Sequence, residues 1–77
     1  MKLKMKLVGD ALAAMPNVAP MEVNLEPFSI APGDFVTHPV APQRALICVA
    51  RHVDLTKREV EVFLDFAREA NGHPPMH

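Results

Sequence analysis

The chain opens in strict alternation, with Met1, Leu3, Met5 and Leu7 apolar and Lys2, Lys4 and Lys6 between them. A two-residue period places the two sets on opposite faces of an extended segment, so residues 1–8 predict a half-buried strand. Three lysines on one face also suit a sheet edge defended against unwanted pairing. Gly9-Asp10 breaks the pattern, and Asp10 can cap a single helical turn through Ala11–Met15, which Pro16 ends.

Residues 16–44 contain Pro16, Pro20, Pro27, Pro32, Pro39 and Pro42, and no helix of ordinary length fits between them. Short extended pieces do fit. Met21, Val23 and Leu25 alternate with Glu22, Asn24 and Glu26, and Phe28 and Ile30 continue with the phase shifted by one, as a bulge or edge position allows. Ala31-Pro32-Gly33-Asp34 carries proline second and glycine third, the type II turn arrangement. Phe35–His38 resumes an extended run that Pro39 stops. Ala45–Ala50 is the most apolar stretch and runs on through Leu55. It predicts the central strand, buried on both faces at its start.

Two periods compete after Thr56. Thr56-Lys57-Arg58-Glu59 matches a capping box, and Val60, Phe63, Leu64, Ala67 and Ala70 follow helical spacing up to Gly72. Val60, Val62, Leu64 and Phe66 also alternate as in a strand, with 53–58 forming a hairpin. The capping box, the Ala67–Ala70 run and Gly72 favour the helix. The fold class expected is therefore α+β. It is a small β-rich domain of about four short, mainly antiparallel strands, in a sheet or partial barrel, with one C-terminal helix packed on it. The alternative is an all-β small barrel with 58–66 as a strand. Residues 1–72 form the expected domain and 73–77 a mobile tail.

Length sharpens this picture. A chain of 77 residues has room for one core, and such a chain buries only about 60% of its unfolded surface. Cys48 is the single cysteine, so no internal disulfide can staple the fold. Reduced, cytoplasmic surroundings are expected, with self-association or docking as added support. The 8 Lys+Arg nearly balance the 9 Asp+Glu, but in blocks. Charges from Gly9 to Asp34 are acidic, those from Phe35 to Arg58 mostly basic, and those from Glu59 onward mostly acidic again. Such blocks suit self-complementary or partner surfaces better than a polyanion. No apolar run approaches the ~20 residues of a membrane span, and Asp10 interrupts what would be the apolar region of a secretory signal.

Candidate chemistry is sparse. The hydroxyls are Ser29, Thr37 and Thr56, and no tyrosine is present. Cys48 and His52 are the one Cys/His pair close in sequence. On a strand they stand roughly 13 Å apart, beyond proton-transfer reach. Cys48-x3-His52 and His73-x3-His77 supply four nitrogen and sulfur ligands, the number a structural zinc needs. A strand separates the first pair, and Pro74-Pro75 denies the second a helical turn. No enzyme activity, cofactor or metal is therefore expected.

Leu55-Thr56-Lys57-Arg58-Glu59-Val60-Glu61-Val62-Phe63 resembles the opening helix of LuxR-type helix-turn-helix domains, over about nine residues. That family needs further helices to reach DNA bases, and the residues after Ala70 cannot supply one. Pro32-Gly33-Asp34-Phe35-Val36 followed by Ala45–Leu55 looks like the strand-turn-strand runs of small β modules frequent in phage tail and baseplate proteins. The function expected is a non-catalytic protein-protein interaction or structural assembly module, such as a phage accessory or virion component. Its partner is another protein or a second copy, with no membrane and no nucleic acid. The candidate partner-binding residues are Leu3, Lys4, Met5 and Lys6 on the first strand and Val60, Phe63, Leu64 and Ala67 on the last element. A small nucleic-acid-binding regulator and a metal-stapled domain are the alternatives.

Overall fold

Val60, Val62 and Leu64 are completely buried, while Glu61 and Phe63 between them are partly exposed. Only an extended chain buries every second residue in this way. The computed structural model describes residues 1–67. They form β1 (Lys2–Leu7), α1 (Gly9–Ala14), β2 (Met21–Val23), β3 (Phe35–His38), β4 (Ala41–Asp54) and β5 (Glu59–Phe66). The strands make one curled five-stranded mixed sheet, a half-barrel, in the order β2-β1-β5-β4-β3. β1 runs parallel to β5, with Leu3 beside Val60 and Leu7 beside Leu64; the other neighbours are antiparallel.

The helix predicted from Thr56 is instead the strand β5, so 58–66 follows the alternative sequence reading; the remainder of that helix, 68–70, lies outside the described residues. Two local features agree with the strand. Val60 and Val62 are β-branched and pack better on a pleated surface than along a helix. Moreover Asp54, not Thr56, takes the free backbone donors: its Oδ1 accepts from the N–H groups of Thr56 at 3.0 Å and Lys57 at 3.1 Å. Arg58 then adopts φ 55° and turns the chain into β5. The segment resembling a helix-turn-helix opening is thus a hairpin turn and the start of a core strand.

Three other expectations change. β1 is hydrogen-bonded on both sides and is not an edge. β5 rather than β4 is central, and β4 buries Leu46 and Cys48 on one face only, leaving Val49 exposed. The run expected through Phe28 and Ile30 stops at Val23. Phe28 and Ile30 belong to a loop over the core, where the Arg51 guanidinium donates to the Ile30 carbonyl at 3.4 Å and lies 5.5 Å from the Phe28 ring centre. The turn at 31–34 forms as expected, with Gly33 at φ 97° and the Asp34 N–H donating to the Ala31 carbonyl at 3.0 Å.

One face of the sheet carries the core of Leu3, Met5, Leu7, Leu46, Cys48, Val60, Val62 and Leu64, closed by Ala11 of α1 and by Ile30. The short helix spans Gly9–Ala14 instead of Ala11–Met15, with Val8 rather than Asp10 at its N-cap, and its side-chain support comes from β5. Asp65 Oδ1 accepts from the Ala11 N–H at 3.0 Å and from its neighbour Phe66 at 2.8 Å. The tail expected at 73–77 lies outside the described residues.

Candidate protein interface

The structure separates the residues that sequence reasoning grouped as partner-binding. Leu3, Met5, Val60 and Leu64 lie in the core, so the folded chain does not offer them to a partner. That correction follows from β1 being interior: its apolar side meets the core instead of a free edge. Lys4 and Lys6 sit on the opposite face, in register with Glu61 and Phe63 of β5. Lys4 Nζ pairs with Glu59 at 3.3 Å, and Lys2 lies 3.8 Å from Glu22. The Lys2–Glu22 pair is exposed and contributes little, whereas Lys4 and Glu59 are half-buried. Phe63 is partly exposed, and the Ala67 N–H donates to the Ala45 carbonyl at 3.0 Å, extending the β4–β5 ladder.

Of the candidate zinc ligands, Cys48 and His52 do not come together. A register shift between Cys48 and Ala50 turns the strand over. Cys48 therefore faces the core beside Leu64, while His52 faces outward beside Glu61. His73 and His77 lie outside the described residues, among which no cluster of three or more potential metal ligands exists. Burial pushes the Cys48 thiol above its usual range, which makes it a poorer nucleophile. The Ser29 hydroxyl is committed to the Glu26 carbonyl at 2.7 Å. No helix among the described residues is long and apolar enough to cross a membrane.

What remains is the far edge of the sheet. β3 pairs with β4 on one side, and among the described residues nothing pairs with the other. Its hydrogen-bonding phase follows from its neighbours. The Cys48 N–H donates to the Asp34 carbonyl toward β3, whereas the Ala45 carbonyl accepts on the β5 side. Leu46, in step with Cys48, therefore turns its backbone to its partner Val36. The alternation of an antiparallel ladder directs the backbone N–H and C=O groups of Phe35 and Thr37 outward, to the free edge.

Apolar surface gathers along this hairpin, with Phe35 48% exposed, Val40 47% and Val49 50%. Between Val36 and His38 the ladder slips, because Val36 faces Leu46 while His38 faces Ala41. The four β4 residues thus passed over stand away from β3 and open a cleft of about 290 Å³, lined by Phe35, Thr37, Pro42 and Arg44 among others. The Arg44 guanidinium lies 3.7 Å from the Phe66 ring centre, which fixes a positive charge beside the cleft. His38 closes the hairpin from inside. It is 4% exposed, its Nδ1 accepts from the Val40 N–H at 3.0 Å, and burial lowers its pKa.

The other edge is less accommodating. β2 has three residues, preceded by Pro20, and its Glu22 is already engaged with Lys2. Sequence reasoning did not select Phe35, Thr37 or Arg44. The available signal was a short extended run between a type II turn and Pro39, since proline within a sheet favours its edge. Comparison with protein-family models, curated proteins and solved structures finds no match for this chain.

Proposed function

We propose that the protein is a non-catalytic interaction module that binds an extended polypeptide segment along β3. One observation carries this reading: Phe35 and Thr37 direct backbone groups outward, to an edge that no other described strand pairs, flanked by exposed Phe35, Val40 and Val49. An added strand satisfies such groups with main-chain hydrogen bonds, and alternate side chains supply specificity. Edges that must stay single are guarded by lysine, an inward charge, proline, a bulge or short length; β3 carries no lysine and no inward charge, and its register shift and Pro39 lie at its C-terminal end. The thin core of so short a chain adds a reason for a partner to contribute stability.

A photo-crosslinking residue at position 37 tests the reading in cells expressing the protein. A covalent adduct with a polypeptide is expected from position 37 and not from position 57, in the opposite hairpin turn. Absence of any polypeptide adduct at 37 overturns it.

A further inference from the structure

Resting on this docking role of β3, we propose that its occupant is a second copy of the chain, paired antiparallel about a two-fold axis through Val36. The backbone phase permits that register. Phe35 of each copy faces Thr37 of the other, and both residues direct their N–H and C=O groups outward. Such a pair exchanges two hydrogen bonds, and the axis generates it twice. The two Val36 residues then meet at the intervening non-hydrogen-bonded position.

Side chains favour the same arrangement. Phe35 and Thr37 share a face, so the two Phe35 rings become diagonal neighbours, about 7 Å apart and within aromatic reach. Charge selects the direction. β3 has an acidic end, Asp34, whose Oδ2 also accepts the Ala31 N–H at 2.8 Å, and a basic end, where Arg44 lines the cleft beside Thr37 with its guanidinium over the Phe66 ring. Antiparallel pairing brings each acidic end to the other copy's basic end, twice over. Parallel pairing would set Asp34 beside Asp34. A head-to-tail contact between β3 and β2 is another way to join copies through sheet edges, as is β2 with β2, and the head-to-tail contact leaves an edge open for further growth. β2 offers it only three residues, with Glu22 already paired.

The interface is small. Four-residue strands with their flanks bury less than the ~800 Å² per partner of a standard complex, so a weak association is expected. The dimer is therefore concentration-dependent.

Sedimentation velocity from low-micromolar to near-millimolar protein tests this, with amide hydrogen exchange read by NMR at both extremes. A monomer–dimer equilibrium is expected, with Phe35 and Thr37 amides gaining protection on concentration while the Val36 amide, already directed at β4, does not change. Phe35→Lys and Arg44→Glu should each weaken dimerisation roughly tenfold or more, with amide spectra confirming that both variants remain folded. A monomer at every concentration, growth beyond the dimer, or a dimer indifferent to Phe35→Lys overturns the inference. A monomer whose position 37 still crosslinks to a different polypeptide overturns the second copy and leaves the docking role standing. A monomer with no such adduct overturns both.

Discussion

Gly9 shows how a single side-chain position can anchor a helix to a sheet. Its φ is 60°, and a Cβ placed there would collide with the Asp65 carboxylate. That carboxylate cannot simply swing aside, because its Oδ1 accepts the N–H groups of Ala11 and Phe66. Gly9→Ala therefore combines backbone strain with loss of a helix anchor, and should destabilise by about 2 kcal/mol or more. A urea midpoint within error of the parent would show that Asp65 is not held as described. His38 governs a different dependence. Burial lowers its pKa below the ordinary 6.5, so the unfolded chain binds the proton first as pH falls. The stabilising contribution of neutral His38 is present above 6.5, declines as pH drops below it, and is gone below the folded-state pKa. His38→Asn keeps an acceptor for the Val40 N–H without an ionisable ring. Urea unfolding between neutral pH and about pH 5 should show a shallower decline in the variant than in the parent.

The hairpin between β4 and β5 places the competing readings of 54–66 in direct opposition. A capping box makes Thr56 the important residue, because its hydroxyl would cap a helix. The observed turn makes Asp54 important instead. The backbone N–H of Lys57, then that of Thr56, holds its carboxyl below the usual carboxylate range. Asp54→Ala should lower the urea midpoint, and Thr56→Ala should leave it unchanged. The reverse order would restore the helical reading. Since the Asp54 pKa is depressed, its contribution is present above the unfolded value of 3.8 and lost as pH falls through the folded one. The comparison therefore belongs near neutral pH. Elements were legible where one period stood alone: the 1–8 alternation became β1 and Pro32-Gly33 made its turn, while the helical turn expected over 11–15 starts two residues earlier, as Gly9–Ala14. They were illegible where Val60, Phe63 and Leu64 satisfied helical spacing while Val60, Val62 and Leu64 satisfied a strand. Burial opposite β1 settled that choice, and a long-range parallel neighbour leaves no local trace in sequence. The interface was obscured for the same reason. Which strand is an edge depends on sheet order, so three lysines suggested β1 while the edges of the described sheet are β2 and β3.

At the scale of the whole molecule, the parallel pairing of β1 with β5 ties the start of the chain to a strand near its end. The Lys2 N–H donates to the Arg58 carbonyl at 3.1 Å, and the Val8 N–H donates to the Leu64 carbonyl at 2.9 Å, so both ends of this pair are fastened. Almost the entire chain between them must be closed into a loop before the pair can form. The core depends on the result, because Leu3, Met5 and Leu7 bury beside Val60, Val62 and Leu64 of β5, with only the short β2, through Val23 and Met21, on the other side of β1. Without β1, β5 becomes an edge and Val60, Val62 and Leu64 lose their cover. β1 and β5 should accordingly unfold as one unit, while β2, with three residues on an edge, opens more readily. Native-state hydrogen exchange gives a direct measure. Amides shared by β1 and β5 should have equal opening free energies, matching global unfolding in urea, and those of β2 should lie lower. If β1 amides exchange with a smaller free energy than β5 amides, the first strand is an appendage to a β3–β4–β5 core. The fold would then rest on its two hairpins rather than on the parallel seam.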